Sequence, residues 1–132
     1  MARLTLDNSV LIEAERGLRS IEELGNLDDD VAIAAITAAE LFVGVEHADS
    51  EERDQRTQRV EQLLSAVTID DYNLNVARVH AELLWYVRRT GSARGAHDLI
   101  IAATARANDR VVVTLDRIGF ADLPGVEARA PR

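Results

Sequence analysis

With 132 residues and a net charge of −8, the chain is long enough to enclose one apolar core and too acidic to coat nucleic acid through a broad basic surface. It has no cysteine, which excludes disulfides, thiolate zinc sites and thiol nucleophiles. No apolar run approaches a membrane span, and acids interrupt the N-terminal stretch MARLTLDNSVLIEAE, so no membrane segment or export signal is read and a cytoplasmic location is expected.

In chain order, Leu4 to Asp7 reads as a first buried strand, followed by a helix starting near Ser9. After the acidic loop of Asp28, Asp29 and Asp30, Val31 to Ile36 is a second strand, and a helix is expected from Ala38 to about His47. The stretch SEERDQRTQRVEQLLSAV is a charged amphipathic helix with the apolar stripe Val60, Leu63, Leu64 and Val67. A short strand is expected near Val67 to Ile69. The clearest helical stripe, Val76, Val79, Leu83, Leu84 and Val87, runs through Asn75 to Thr90, where Gly91 suits the C-cap. GSARG (Gly91 to Gly95) is a flexible loop before a helix from His97 to Ala107. Val111 to Thr114 is the strongest strand signal. Leu123-Pro124-Gly125 marks a turn, and Val126 to Ala128 an edge strand. Short apolar runs alternating with helical segments predict the α/β class: a single domain over residues 1–132, with a mainly parallel central sheet flanked by helices on both faces (α/β/α).

In open parallel sheets, ligands bind beyond the carboxyl ends of the strands. Asp7 ends the first strand, Glu40 follows the second, Asp98 opens the helix leading into the strongest strand, and Asp116 lies two residues past VVVT. Each acid also has a local structural role open to it. Asp7 suits a helix N-cap, Thr37 to Glu40 a capping box, Asp98 the favourable end of a helix dipole, and Asp116 a turn. Their conjunction at one edge is a like-charge cluster that is costly unless protons or a cation neutralise it. Oxygen-only donors on separate elements suit Mg²⁺ or Mn²⁺.

The string LDNSVLIEAERG resembles the opening of PIN-domain nucleases, notably the VapC-type toxins, and TAAELFVGVEHA resembles their second element. GAHDLIIAATARANDRVVVTLDRIGFADLPGV resembles the C-terminal third, the most specific part of the match. The resemblance implies that Asp7, Glu40, Asp98 and Asp116 are the metal-binding and catalytic acids, with Ser9 and Thr114 as neighbouring hydroxyl groups. It also implies an endoribonuclease dependent on Mg²⁺ or Mn²⁺, an RNA substrate, a homodimer and an antitoxin partner that places a basic residue in the acidic pocket. Apolar surface around Leu18, Ile21 and Leu24 is expected to help hold that partner. Two positions depart from the pattern: Asn8 stands where many relatives carry Thr, and Gly119 where many carry an acid before Phe120.

Other candidates carry less. His97, beside Asp98, is the histidine nearest the acids; His80 falls on a helical stripe and His47 near a helix end. Arg88, Arg89 and Arg94 flank the GSARG loop and suit either RNA phosphates or a solvated helix end. Asp28 to Asp30 and Asp70-Asp71 read as solvated turns. A receiver-like signalling domain is the rival that also places acids at strand ends, but it requires a lysine, and all fifteen basic residues here are arginine. A non-catalytic acidic docking pocket is the other alternative.

Overall fold

A computed structural model describes residues 1–17 and 28–131; the apolar positions Leu18, Ile21 and Leu24, expected to help hold a partner, lie outside the described residues. Strands β1 (Arg3–Leu6), β2 (Asp30–Ala34), β3 (Thr68–Asp70), β4 (Val111–Val113) and β5 (Ala128–Arg129) form a sheet in the order β3-β2-β1-β4-β5. Every pairing is parallel. Helices α1 (Asn8–Glu15), α2 (Ala35–His47), α3 (Arg53–Ala66), α4 (Leu74–Thr90) and α5 (Ala96–Ala107) pack on it, and a 3₁₀ helix spans Arg117–Phe120.

Strand side chains alternate between two cores, as the two-residue period of a strand requires. Leu4, Leu6, Ile33 and Val113 join Val10, Leu11, Leu41, Val45 and Val60 from α1, α2 and α3. Ala34 and Val112 join Val76, Leu83 and Val87 of α4 and Leu99, Ile101, Ala102, Ala103 and Ala105 of α5 on the other face. This is the three-layer α/β/α arrangement expected from the sequence. The longest helix, α4, is fixed at both ends: Asn73 accepts from the Val76 amide at 3.0 Å, and Gly91 closes it in the left-handed region at φ 69°.

One boundary differs from expectation in a way that matters for the site. The strand predicted as Val31 to Ile36 stops at Ala34, and α2 begins at Ala35, so Ile36 is helical. Apolar period alone cannot divide a run such as VAIAAITAA, and its alanines favour helix. Glu40 therefore lies in the second turn of α2. The Thr37 capping box does not form: the N-cap is Ala34 with no side-chain cap bond, and the Thr37 hydroxyl is buried without a partner.

Three of the acids expected to be solvated turns, Asp29, Asp30 and Asp70, are instead engaged, while Asp28 and Asp71 are exposed. Asp30 pairs with Arg3 at 2.8 Å and with Arg110 at 3.1 Å, Asp70 pairs with Arg110 at 2.8 Å, and Asp29 accepts from the Ala2 amide.

Candidate functional site

The strand order reverses at β1, whose neighbours β2 and β4 are reached by chain segments running to opposite sides. Loops diverge at such a switch point, leaving a crevice at the carboxyl ends of the strands. Asp7 and Asp116 flank it. Asp7 follows β1, is 5% exposed, and caps α1 by accepting from the backbone and hydroxyl of Ser9. Its other oxygen accepts from Thr114 Oγ1 at 2.5 Å, and Thr114 Oγ1 in turn accepts from the Asp116 amide at 2.9 Å. Capping and site placement are therefore the same set of contacts: Ser9 and Thr114 hold the Asp7 carboxylate, and Thr114 ties it to the Asp116 loop.

Asp98 approaches from α5. A Cβ placed on Gly119 would stand 3.1 Å from Asp98 Oδ2 and 3.4 Å from Asp116 Oδ2, so the two carboxylates meet over a residue without a side chain. Gly95, before α5, leaves similar room, with 3.2 Å from a Cβ to the same Asp98 oxygen. Burial raises the pKa of Asp98, and the negative charges of Asp7, Asp116 and Glu40 raise it further, with His97 opposing them. The four acids thus lie within electrostatic reach of one another.

Glu40 is held differently. Its Oε1 lies 2.6 Å from His97 Nδ1, and its Oε2 accepts from the Asn8 side-chain amide. Neither contact is signalled by the motif spacing, although both donors sit next in sequence to a site aspartate, Asp7 or Asp98.

The donors suit a hard divalent cation, because every candidate ligand is a carboxylate oxygen and Asp98 shows the cost of their uncompensated charge. Among the described residues, no three His or acidic groups already stand as a closed cage. An ion that retains several waters and shares only one or two carboxylates directly fits such an open arrangement.

The remaining candidates lie elsewhere or are occupied. Arg94 donates to Ser92 and to the Ala121 carbonyl, which ties the GSARG loop to the end of the 3₁₀ helix. Arg89 lies over the Tyr86 ring at 5.9 Å. His80 meets the Tyr72 hydroxyl at 2.7 Å through Nδ1, and burial lowers its pKa.

The family model described as PIN domain matches residues 4–126. Ribonuclease VapC of Rickettsia bellii is 30% identical over 94% of this chain and 92% of its own length. Ribonuclease VapC5 of Mycobacterium tuberculosis is 36% identical over 91% of this chain and 87% of its own. Among solved structures, DNA-bound VapBC from Salmonella typhimurium superposes with a TM-score of 0.88 at 26% identity, covering 98% of both chains.

Proposed function

The chain belongs to the PIN-domain family, alongside the VapC ribonucleases, and from that premise we propose that it is the RNA-cleaving toxin of a toxin–antitoxin pair. The observation that carries the reading is the convergence of Asp98 and Asp116 over Gly119, with Asp7 linked to the Asp116 loop through Thr114. In this reading Asp7, Asp98 and Asp116 hold Mg²⁺ or Mn²⁺, and Glu40 completes the catalytic acids. When bound, such an ion supplies Lewis acidity, activating water and offsetting charge on the phosphoryl oxygens. The protein's part is to keep its carboxylates fixed. Ser9 and Thr114 prevent Asp7 from rotating, and the two glycines leave Asp98 room beside Asp116.

The same charge pattern supports the expected partner. Among the described residues no arginine pairs with Asp7, Glu40, Asp98 or Asp116. A basic side chain from an antitoxin would therefore meet unneutralised carboxylates and compete with the metal. A related structure is itself a VapBC complex. The homodimer and the cytoplasmic setting rest on the family resemblance; no described helix is long and apolar enough to cross a membrane.

Purified protein should cleave RNA with Mg²⁺ or Mn²⁺, stop on addition of EDTA, and leave 5′-phosphate and 3′-hydroxyl ends, as attack by water requires. Cleavage that survives EDTA, or products ending in 2′,3′-cyclic phosphate, would overturn the hydrolytic reading. Protein that binds metal and RNA without cutting would favour an acidic docking pocket instead.

A further inference from the structure

Glu40 is the one site acid whose two oxygens are each engaged by a nitrogen donor from a different helix. Asn8 reaches Oε2 from the first residue of α1, and His97 Nδ1 meets Oε1 at 2.6 Å from α5. Glu40 itself lies on α2, so three helices on both faces of the sheet are joined at a single carboxylate. The Glu40 side chain is 22% exposed, while that of His97 is 57% exposed. Such a contact lies at the mouth of the crevice, where one solvent-facing hydrogen bond adds little to stability.

A free glutamate has several rotatable bonds and spreads its charge over many positions. Two donors on opposite oxygens fix the plane of the carboxylate as well as its place, while each oxygen keeps a second lone pair for a further partner. Asp7 is fixed by hydroxyls, whereas Glu40 is fixed by an amide and an imidazole, donors that its own helix does not supply. We infer that Asn8 and His97 are positioning residues that clamp Glu40, so that it works as an aligned acceptor for the attacking water and His97 acts through its Nδ1 donor. This inference rests on the ribonuclease reading for its consequence in catalysis but not for the clamp itself.

Donation to an ionised Glu40 carboxylate selects which imidazole nitrogen carries the proton. In the neutral ring, Nδ1 must bear hydrogen to donate to Glu40, leaving Nε2 as the acceptor. Two substitutions separate these atoms. The amide nitrogen of His97→Asn reaches about as far as Nδ1, whereas that of His97→Gln reaches about as far as Nε2.

The test has two arms. In the first, ¹⁵N-imidazole spectra of the metal-free protein, without RNA, should show His97 mainly as the Nδ1–H tautomer. That preference should weaken in Asn8→Ala, where Glu40 has lost its second restraint, and vanish in Glu40→Ala. An Nε2–H tautomer in the parent protein, or one indifferent to Glu40→Ala, would overturn the clamp whether or not the protein is a nuclease. In the second arm, Asn8→Ala and His97→Gln should lower kcat by roughly ten- to a hundredfold, the scale of a misplaced catalytic group, with KM little changed. His97→Asn should recover most of the loss. If His97→Gln recovers the rate and His97→Asn does not, His97 acts through Nε2; if both stay slow while the tautomer result holds, the positioning role is wrong. Absence of cleavage in every protein, parent included, with the tautomer intact would count against the ribonuclease reading alone.

Discussion

Asp30 and Asp70 share the guanidinium of Arg110, whose side chain is 4% exposed, at 3.1 and 2.8 Å, while Asp7, Glu40, Asp98 and Asp116 have no arginine partner among the described residues. The two groups consist of the same chemistry in the same small domain. Around Arg110 the counter-charge is part of the fold, and the Asp30 carbonyl accepts a further bond from the same side chain. At the ends of β1 and β4, hydroxyls and a side-chain amide hold Asp7 and Glu40 in place, and the remaining contact to Glu40 is an imidazole instead of an arginine. Burial alone therefore does not mark a functional acid. Glu15 is almost as buried as Asp7 but lies beside Arg56 at 3.2 Å and Arg59 at 3.6 Å. A carboxylate that is positioned yet uncompensated is what a cation, or a basic side chain from a partner, requires.

Removing one member from each group should separate the two roles most sharply. Asp98→Asn is expected to lower RNA cleavage by roughly a thousandfold, equivalent to several kcal/mol of transition-state stabilisation, without loss of fold. Arg110→Ala should do the opposite. Leaving Asp70 without its arginine, and Asp30 with Arg3 alone, should cost up to about 3–5 kcal/mol of stability, with activity per folded molecule retained. Melting curves and initial rates on both variants decide the matter. A cold-stable but inactive Arg110→Ala, or an Asp98→Asn that cleaves at the parent rate, would dissolve the distinction.

A smaller effect should appear in the pH dependence of the metal-free protein. Asp98 has its pKa raised by burial first and then by neighbouring carboxylates, so the folded state holds its proton to higher pH than the unfolded chain. Its contribution to stability is present below the unfolded value and is lost as pH rises through the raised folded value. Asp98→Asn cannot ionise and should lack that loss, so the stability difference between variant and parent should grow in the variant's favour across that window. Saturating Mg²⁺ should reverse the order by stabilising the parent through binding. A stability difference independent of both pH and metal would show that Asp98 is not strained by its neighbours.

Much of the frame was legible because it rests on local signals. Strand runs such as Val111 to Val113, the stripe of α4 and the Gly91 cap depend on neighbours in sequence, and the site aspartates lie close to element ends: Asp7 after β1, Asp98 in the first turn of α5 and Asp116 three residues past β4. The unread parts depend on distant ones. Arg110 meets Asp70 and Asp30 across separations of 40 and 80 residues, and His97 meets Glu40 across 57. Nothing periodic announces such pairs, so Asp30 and Asp70 passed for solvated turns. The capping box failed for a related reason: Thr37 to Glu40 has the right spacing, but α2 already starts at Ala35, which leaves Thr37 inside the helix instead of at its end. Gly119 was legible only as a departure from a family pattern, whereas the structure gives it a physical reason.

That reason leads to the smallest effect, and the most local. Gly119 lies in the 3₁₀ helix with no positive φ to forbid a side chain, so Gly119→Ala is tested on space alone. The added methyl would stand 3.1 Å from Asp98 Oδ2, closer than most carbon–oxygen contacts, and 3.4 Å from Asp116 Oδ2. One of the carboxylates must move by a few tenths of an ångström. Asp98 is the more constrained, because it is partly buried and stands in the first turn of α5. Asp116 is exposed on its loop and has freedom to retreat. The fold should tolerate this, with a stability change within about 0.5 kcal/mol, the usual range for a partly exposed substitution. Metal binding should weaken more than stability does, by roughly three- to tenfold in Mn²⁺ affinity, since about 0.6–1.4 kcal/mol follows from a small misplacement of one ligand. Titration of Mn²⁺ into the parent and Gly119→Ala proteins measures this directly, without reliance on cleavage. Equal affinities would mean that Asp98 and Asp116 do not act on a common ion, and the meeting of their oxygens over Gly119 would then be a packing detail of the loop.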